Sequence, residues 1–192
     1  MLTADYPSLA RGETTKGLIV QLIHEKLVSV SLLRGIDQPR ACITGPDDKK
    51  RWMALPIREI SCLSKHFRPN DFGVPVALYY DGAQVTEDDP GSIFDFASSW
   101  IDCDEQTKSE IAEELRNSSR MLEKWMMLVS DAPMLNINSS LLDWERCLVL
   151  HQTCFASSLL SPETPDDIPG LLNPALSFVA VPRSSVRLFG PF

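Results

Sequence analysis

An α+β fold is predicted by three observations: a long amphipathic helix over 104–129, a shorter one near the start, and between them short apolar runs separated by turn-forming residues. The short strand-like runs lie between helical segments and are joined by turns, which favours antiparallel pairing. The prediction is an N-terminal subdomain of helices and antiparallel strands, residues 1–135, followed by the start of a second, sheet-containing domain, residues 136–192.

The first element is expected over Thr14 to Val28. Leu18, Ile19, Leu22, Ile23 and Leu27 share one face at helical spacing, and Thr14 or Thr15 is available as the cap. Arg40-Ala41-Cys42-Ile43-Thr44 and the run Arg51 to Ile57 flank the turn-rich Gly45-Pro46-Asp47-Asp48-Lys49-Lys50, which reads as a β-hairpin. Phe72 to Tyr80 is rich in β-branched and aromatic residues and stops at Asp81-Gly82, a strand and a turn. Asp89-Pro90 introduces a short helix, Ser92 to Trp100.

The strongest helix runs from Asp104 to Val129. Asp102 and Glu105 have capping-box spacing, and Ile111, Leu115, Leu122, Trp125 and Val129 line one side. Acidic residues lead it and basic ones follow, in accord with the helix dipole. Asp131-Ala132-Pro133 ends it, and a further helix is expected from near Leu141. Ser161 to Gly170 carries three prolines and reads as a loop, and Phe178–Val181 and Ser185–Phe189 read as strands. Such a terminal strand needs a sheet neighbour or a partner. The four tryptophans, Trp52, Trp100, Trp125 and Trp144, are spread evenly and read as core anchors.

Composition excludes several function classes. The 192 residues carry a net charge of −8 and no long basic run, which argues against nucleic-acid binding. No window approaches the roughly 18 apolar residues of a membrane span, and no secretory signal opens the chain, so a soluble cytoplasmic protein is expected. Five cysteines with no C-x-x-C pair and no clustered histidines argue against a zinc ribbon or a disulfide framework, and no metal site is expected. There is no Walker loop, G-x-G-x-x-G, G-x-S-x-G or H-E-x-x-H.

The last quarter is the most informative. Trp144-Glu145 precedes Leu150-His151-Gln152-Thr153-Cys154-Phe155-Ala156-Ser157-Ser158-Leu159-Leu160, and Ala180-Val181-Pro182-Arg183 follows. This register resembles that of the siderophore synthetases that work without a nonribosomal peptide synthetase, the aerobactin-synthetase (IucA/IucC) family, fungal members especially. There a Trp-Glu pair opens a helix running into Gly-His-Pro-x-His-Pro-x-x-Lys/Arg-x-Arg, and a later strand carries Ala-Val-Pro-Arg. Glu113 to Ser118 resembles a Glu-Leu-x-Asn-Ser run of the family, and Thr14 to Val28 its opening helix.

The resemblance implies ATP-dependent adenylation of a carboxylate such as citrate, followed by displacement of AMP by an amine or hydroxyl. It also implies that residues 1–135 are the thumb-like domain and 136–192 the start of a nucleotide-binding, fingers-like domain cut short. Carried over residue by residue, it makes His151 the catalytic candidate and Thr153 and Arg183 the nucleotide-binding ones, with ATP and magnesium as cofactors if the protein is active and none otherwise. Only His151 and the permissive Thr153 fit the motif; Ser158 and Leu160 stand where it has basic residues, which polyanionic phosphates and a citrate-like substrate require. The expectation is a truncated, catalytically impaired homologue in siderophore or other secondary metabolism. Two alternatives stay open: a non-catalytic partner or scaffold for a full-length synthetase, or for a second copy of itself; and a small tailoring enzyme using His151 and Cys154, which share a helix face if the helix continues. His151 could equally cap helix carbonyls, Cys154 could be a buried thiol, and Arg183 and Arg187 could pair with surface acids.

Overall fold

The computed structural model describes residues 5–33, 38–46, 50–58, 67–130, 135–141 and 144. These all belong to one unit, residues 1–162; a second unit, 163–192, lies outside them, as does nearly all of the domain expected over 136–192. The α+β class holds. Helix α1 (Tyr6–His24) is followed by strands β1 (Ser29–Leu33), β2 (Arg40–Thr44) and β3 (Trp52–Pro56), then a 3-10 turn (Pro69–Asp71), β4 (Val76–Tyr80), β5 (Ala83–Glu87), α2 (Pro90–Ser98) and α3 (Glu105–Ser130).

The strands form one antiparallel meander in the order β1-β2-β3-β4-β5. Alternation along each strand sends Ala41, Ile43, Met53, Leu55, Val76 and Leu78 to one face, where they pack with Ile19 and Leu22 of α1 and Ile93, Phe96 and Ala97 of α2. On the other face Ser31, Cys42, Ala54, Ala77 and Thr86 lie in register across all five strands. Beside that row the rings of Trp52 and Tyr79 stack at 3.6 Å. Helix α3 packs against both α1 and α2.

Three expectations need correction. Helix α1 starts well before Thr14, because Asp5 accepts a hydrogen bond from the Ser8 amide and Pro7 occupies the first turn. Thr14 and Thr15 are buried within the helix and cap nothing. The helix also stops at His24. Lys26 adopts φ 58°, and the amides of Lys26 and Leu27 donate to the carbonyls of Ile23 and Leu22, a Schellman closure made without glycine. The chain thus turns in time for β1 to form, a strand the sequence reading does not assign.

The cap of α3 is Asp104, not the Asp102–Glu105 pair. Its carboxylate accepts from the Thr107 amide at 2.9 Å and the Thr107 hydroxyl at 2.6 Å, bonds that hold its pKa below the usual aspartate value. Of the residues expected on the inner side of α3, Leu122 and Trp125 are buried, whereas Ile111 and Leu115 are only half-buried. Among the tryptophans, Trp125 is buried and Trp100 packs against the core, but Trp52 lies on the outer sheet face and Trp144 is exposed.

The hairpin, the Asp81-Gly82 turn and the Asp89-Pro90 helix start are all found. The expected strand over Phe72–Tyr80 shortens to Val76–Tyr80, with Phe72 bridging Ile57 separately. No helix among the described residues is long and apolar enough to cross a membrane.

Candidate functional site

His151, Thr153 and Arg183, with Cys154 and Arg187, lie outside the described residues. What the structure does show is the surroundings of the other segment that carries the family resemblance, Glu113 to Ser118, and there the side chains converge.

The centre is Asp89. As the cap of α2 it accepts from the Ser92 amide and the Ser92 hydroxyl, both at 2.9 Å, and Arg116 of α3 donates Nε to the same carboxylate at 2.9 Å. Arg116 also lies 3.6 Å from Asp95 and 3.8 Å from Glu113. Its guanidinium reaches this position because residue 91 is glycine: a Cβ there would lie 2.6 Å from the Arg116 Cζ. Arg120 donates to Glu113 and to Asn117, both at 2.7 Å. Arg11 of α1 donates to Asp88 at 3.0 Å, and Glu87 accepts the amides of Asp88 and Asp89. These groups border an open cleft of about 210 Å³ between α1 and α3, lined by Arg11, Asp89, Arg116, Arg120 and Glu123.

Partial burial works against the charge on Asp89, but the bonds from Ser92 and the Arg116 guanidinium outweigh it, and the carboxyl is held below the usual aspartate range. Arg116, bonded to Asp89, is held more firmly in its charged form. Arg11, Arg116 and Arg120 thus stand against Asp88, Asp89, Asp95 and Glu113, so the cluster carries no surplus positive charge. A triphosphate, which needs uncompensated positive charge or several converging amides, is not accommodated by it. Among the described residues no group of three or more His, Cys, Asp or Glu could hold a metal ion. Cys42 offers no nucleophile: burial pushes its thiol pKa up, only partly offset by a bond with Ser31.

What the cluster does is join elements. It ties the start of α2 to α3 and the residue after β5 to α1. Of the family-like pair, Asn117 serves the helix by accepting from Arg120, and Ser118 is buried. Sequence reasoning found the Asp89-Pro90 helix start and the 113–118 segment separately; no local pattern signals that Arg116 reaches Asp89.

Asp89→Ala is expected to lower the unfolding free energy by about 1–2 kcal/mol, mainly through loss of the cap, as read by urea denaturation. A carboxyl whose pKa is depressed by folding contributes fully above its unfolded value of about 4, and that contribution fades as pH falls through the folded value. Wild-type and Asp89→Ala stabilities therefore converge below about pH 4.

Comparison with known proteins supplies the class. The chain is similar, over 95% of its length and at 31% identity, to the NRPS-independent siderophore synthetase-like protein ankE of Aspergillus thermomutatus. The motif register described above resembles the same class of protein. The chain spans 34% of the length of that relative. No family model matches it, and no solved structure matches it.

Proposed function

We propose that the chain acts in the cytoplasm, in siderophore or other secondary-metabolite biosynthesis, as a synthetase-like protein impaired in the adenylation step. The observation that carries this reading is the match to a siderophore synthetase-like protein along 95% of the chain, combined with loss of the motif residues that supply charge. In the family reaction a carboxylate such as citrate is adenylated by ATP with magnesium, and an amine or hydroxyl then displaces AMP. Of the matching positions, His151 retains an acid–base group, Thr153 a hydroxyl and Arg183 a cation to meet a nucleotide. Ser158 and Leu160 leave the phosphates without the two basic partners of the motif.

Titration of the folded chain with ATP and magnesium, with and without citrate, is expected to show no tight, magnesium-dependent binding. Such binding would overturn the impaired reading and call for an adenylation assay. A second reading is a non-catalytic module that completes or regulates a full-length synthetase, favoured by the charge-balanced cluster of Arg11, Arg116 and Arg120, which joins elements and leaves no surplus cation for a triphosphate. It predicts co-purification with such a synthetase, and failure to co-purify when both are co-expressed counts against it.

A further inference from the structure

Strand β5 is one edge of the sheet, and among the described residues nothing pairs with its outer side. Ala83, Gln84, Val85 and Thr86 are all exposed, Val85 at 40%. Edge strands in proteins that stay apart are blunted by shortness, by charged side chains, lysine above all, by proline, by a bulge or by a covering element. Ala83–Glu87 has no lysine and no proline, and it pairs residue for residue with β4 without a bulge. Beside it on the core face lie exposed Tyr80 and an open cleft of about 340 Å³, bordered by Leu78 and Phe96 and also by Arg51, Glu87, Ser92 and Asp95. A partly apolar flank therefore accompanies a backbone edge that is unpaired among the described residues.

The turn fixes which backbone groups face outward. Asp81 and Gly82 have φ of 49° and 79°, the signature of a type I′ hairpin, in which Tyr80 and Ala83 form the closing hydrogen-bonded pair. Antiparallel ladders alternate. Ala83, Val85 and Glu87 consequently direct their amides and carbonyls to β4, and Gln84 and Thr86 direct theirs away from the sheet.

We propose that β5 pairs antiparallel with β5 of a second copy of this chain, about a two-fold axis through Val85, joining two five-stranded sheets edge to edge. This register sets Gln84 of each copy opposite Thr86 of the other, so every outward amide and carbonyl of the two residues is used. It sets Ala83 opposite Glu87, so no like charges face each other within the strands. Asp81 comes level with Asp89 of the second copy, whose charge is already met by Arg116 and the Ser92 amide. The neighbouring registers are poorer. An axis at Gln84 brings Asp81 against Glu87, and an axis at Thr86 carries Gln84 past the strand end to Asp88. With the axis at Val85, the two valines form a non-hydrogen-bonded pair, the kind with the closest side chains, and cover each other's exposed surface.

The test is sedimentation of the full chain over a concentration series, with cysteine cross-linking. Wild type is expected to shift from 21.4 kDa toward twice that mass as concentration rises, and more readily at higher salt, because each copy carries a net charge of −8. Thr86→Pro removes an outward amide without touching the β4 ladder, and should leave a monomer with an unchanged circular dichroism spectrum. Val85→Cys should form an intermolecular disulfide that oxidised wild type lacks, since the paired Cα atoms would lie about 4.5 Å apart. Gln84→Cys should cross-link to Thr86→Cys in a mixture but not to itself. A monomer at every concentration overturns the proposal, as does a dimer that survives Thr86→Pro and fails to cross-link through Val85. The cross-link decides the case should Thr86→Pro fail to fold.

Discussion

Replacing Phe72 with alanine is expected to lower the unfolding free energy by about 3–5 kcal/mol, the cost of removing a large buried ring whose space is only partly refilled. Phe72 is fully buried, the largest such side chain described. It sits where the 3-10 turn joins the sheet, pairs with Ile57 in an isolated bridge, and its ring stands 5.5 Å from that of Phe67. Its backbone is held as well, since the Phe72 amide donates to Pro69. The surrounding backbone therefore has little freedom to collapse into the void, which places the cost toward the top of the range. Domains of this size are stable by about 5–15 kcal/mol, so a thermal melt should show a large fall in Tm or no cooperative transition.

Gly45→Ala is expected to cost about 1–3 kcal/mol, through overpacking and not through backbone strain. A Cβ at residue 45 would lie 2.5 Å from Cγ and Cδ1 of Trp100 and 3.0 Å from its Cβ. These atoms are at the root of the indole, so no rotation of a distant group relieves the clash. Trp100 in turn packs edge-on against Phe96 at 5.5 Å, which passes the displacement to α2. A double-mutant cycle with Trp100→Leu checks the mechanism: the pair should lose less stability than the two single changes added together.

Gly45 also shows how far the sequence can be read. Together with Pro46 it marks a turn, and the hairpin is there, yet the structure requires glycine because a tryptophan 55 positions later lies on it. Features decided by a few adjacent residues are legible: the 40–57 hairpin, the Asp81-Gly82 turn and the Asp89-Pro90 helix start. Features decided by partners far along the chain are not. Strand β5, Ala-Gln-Val-Thr-Glu, alternates only weakly, with Val85 its one sizeable apolar residue, and exists because β4 supplies its bonds. The end of α1 is hidden because lysine takes the position that glycine usually marks. The Arg116–Asp89 contact is likewise invisible locally. The candidate residues His151, Thr153 and Arg183 rest on the family resemblance and lie beyond the residues described.

The meander has a consequence for how the molecule reaches its native state. Every strand pairs with its neighbour in sequence, so the sheet can grow pair by pair; three of the four steps close short loops at small entropic cost, and the β3–β4 step closes a longer one over residues 57–75. The contact of α1 with α3 instead joins segments from opposite ends of the described chain. It is the last contact expected, made after the rate-limiting step, when the hairpins already exist. Substitutions at the α1–α3 seam, around Arg11 and Arg120, should then accelerate unfolding while leaving the refolding rate nearly unchanged. Those along β3 and β4 should slow refolding itself.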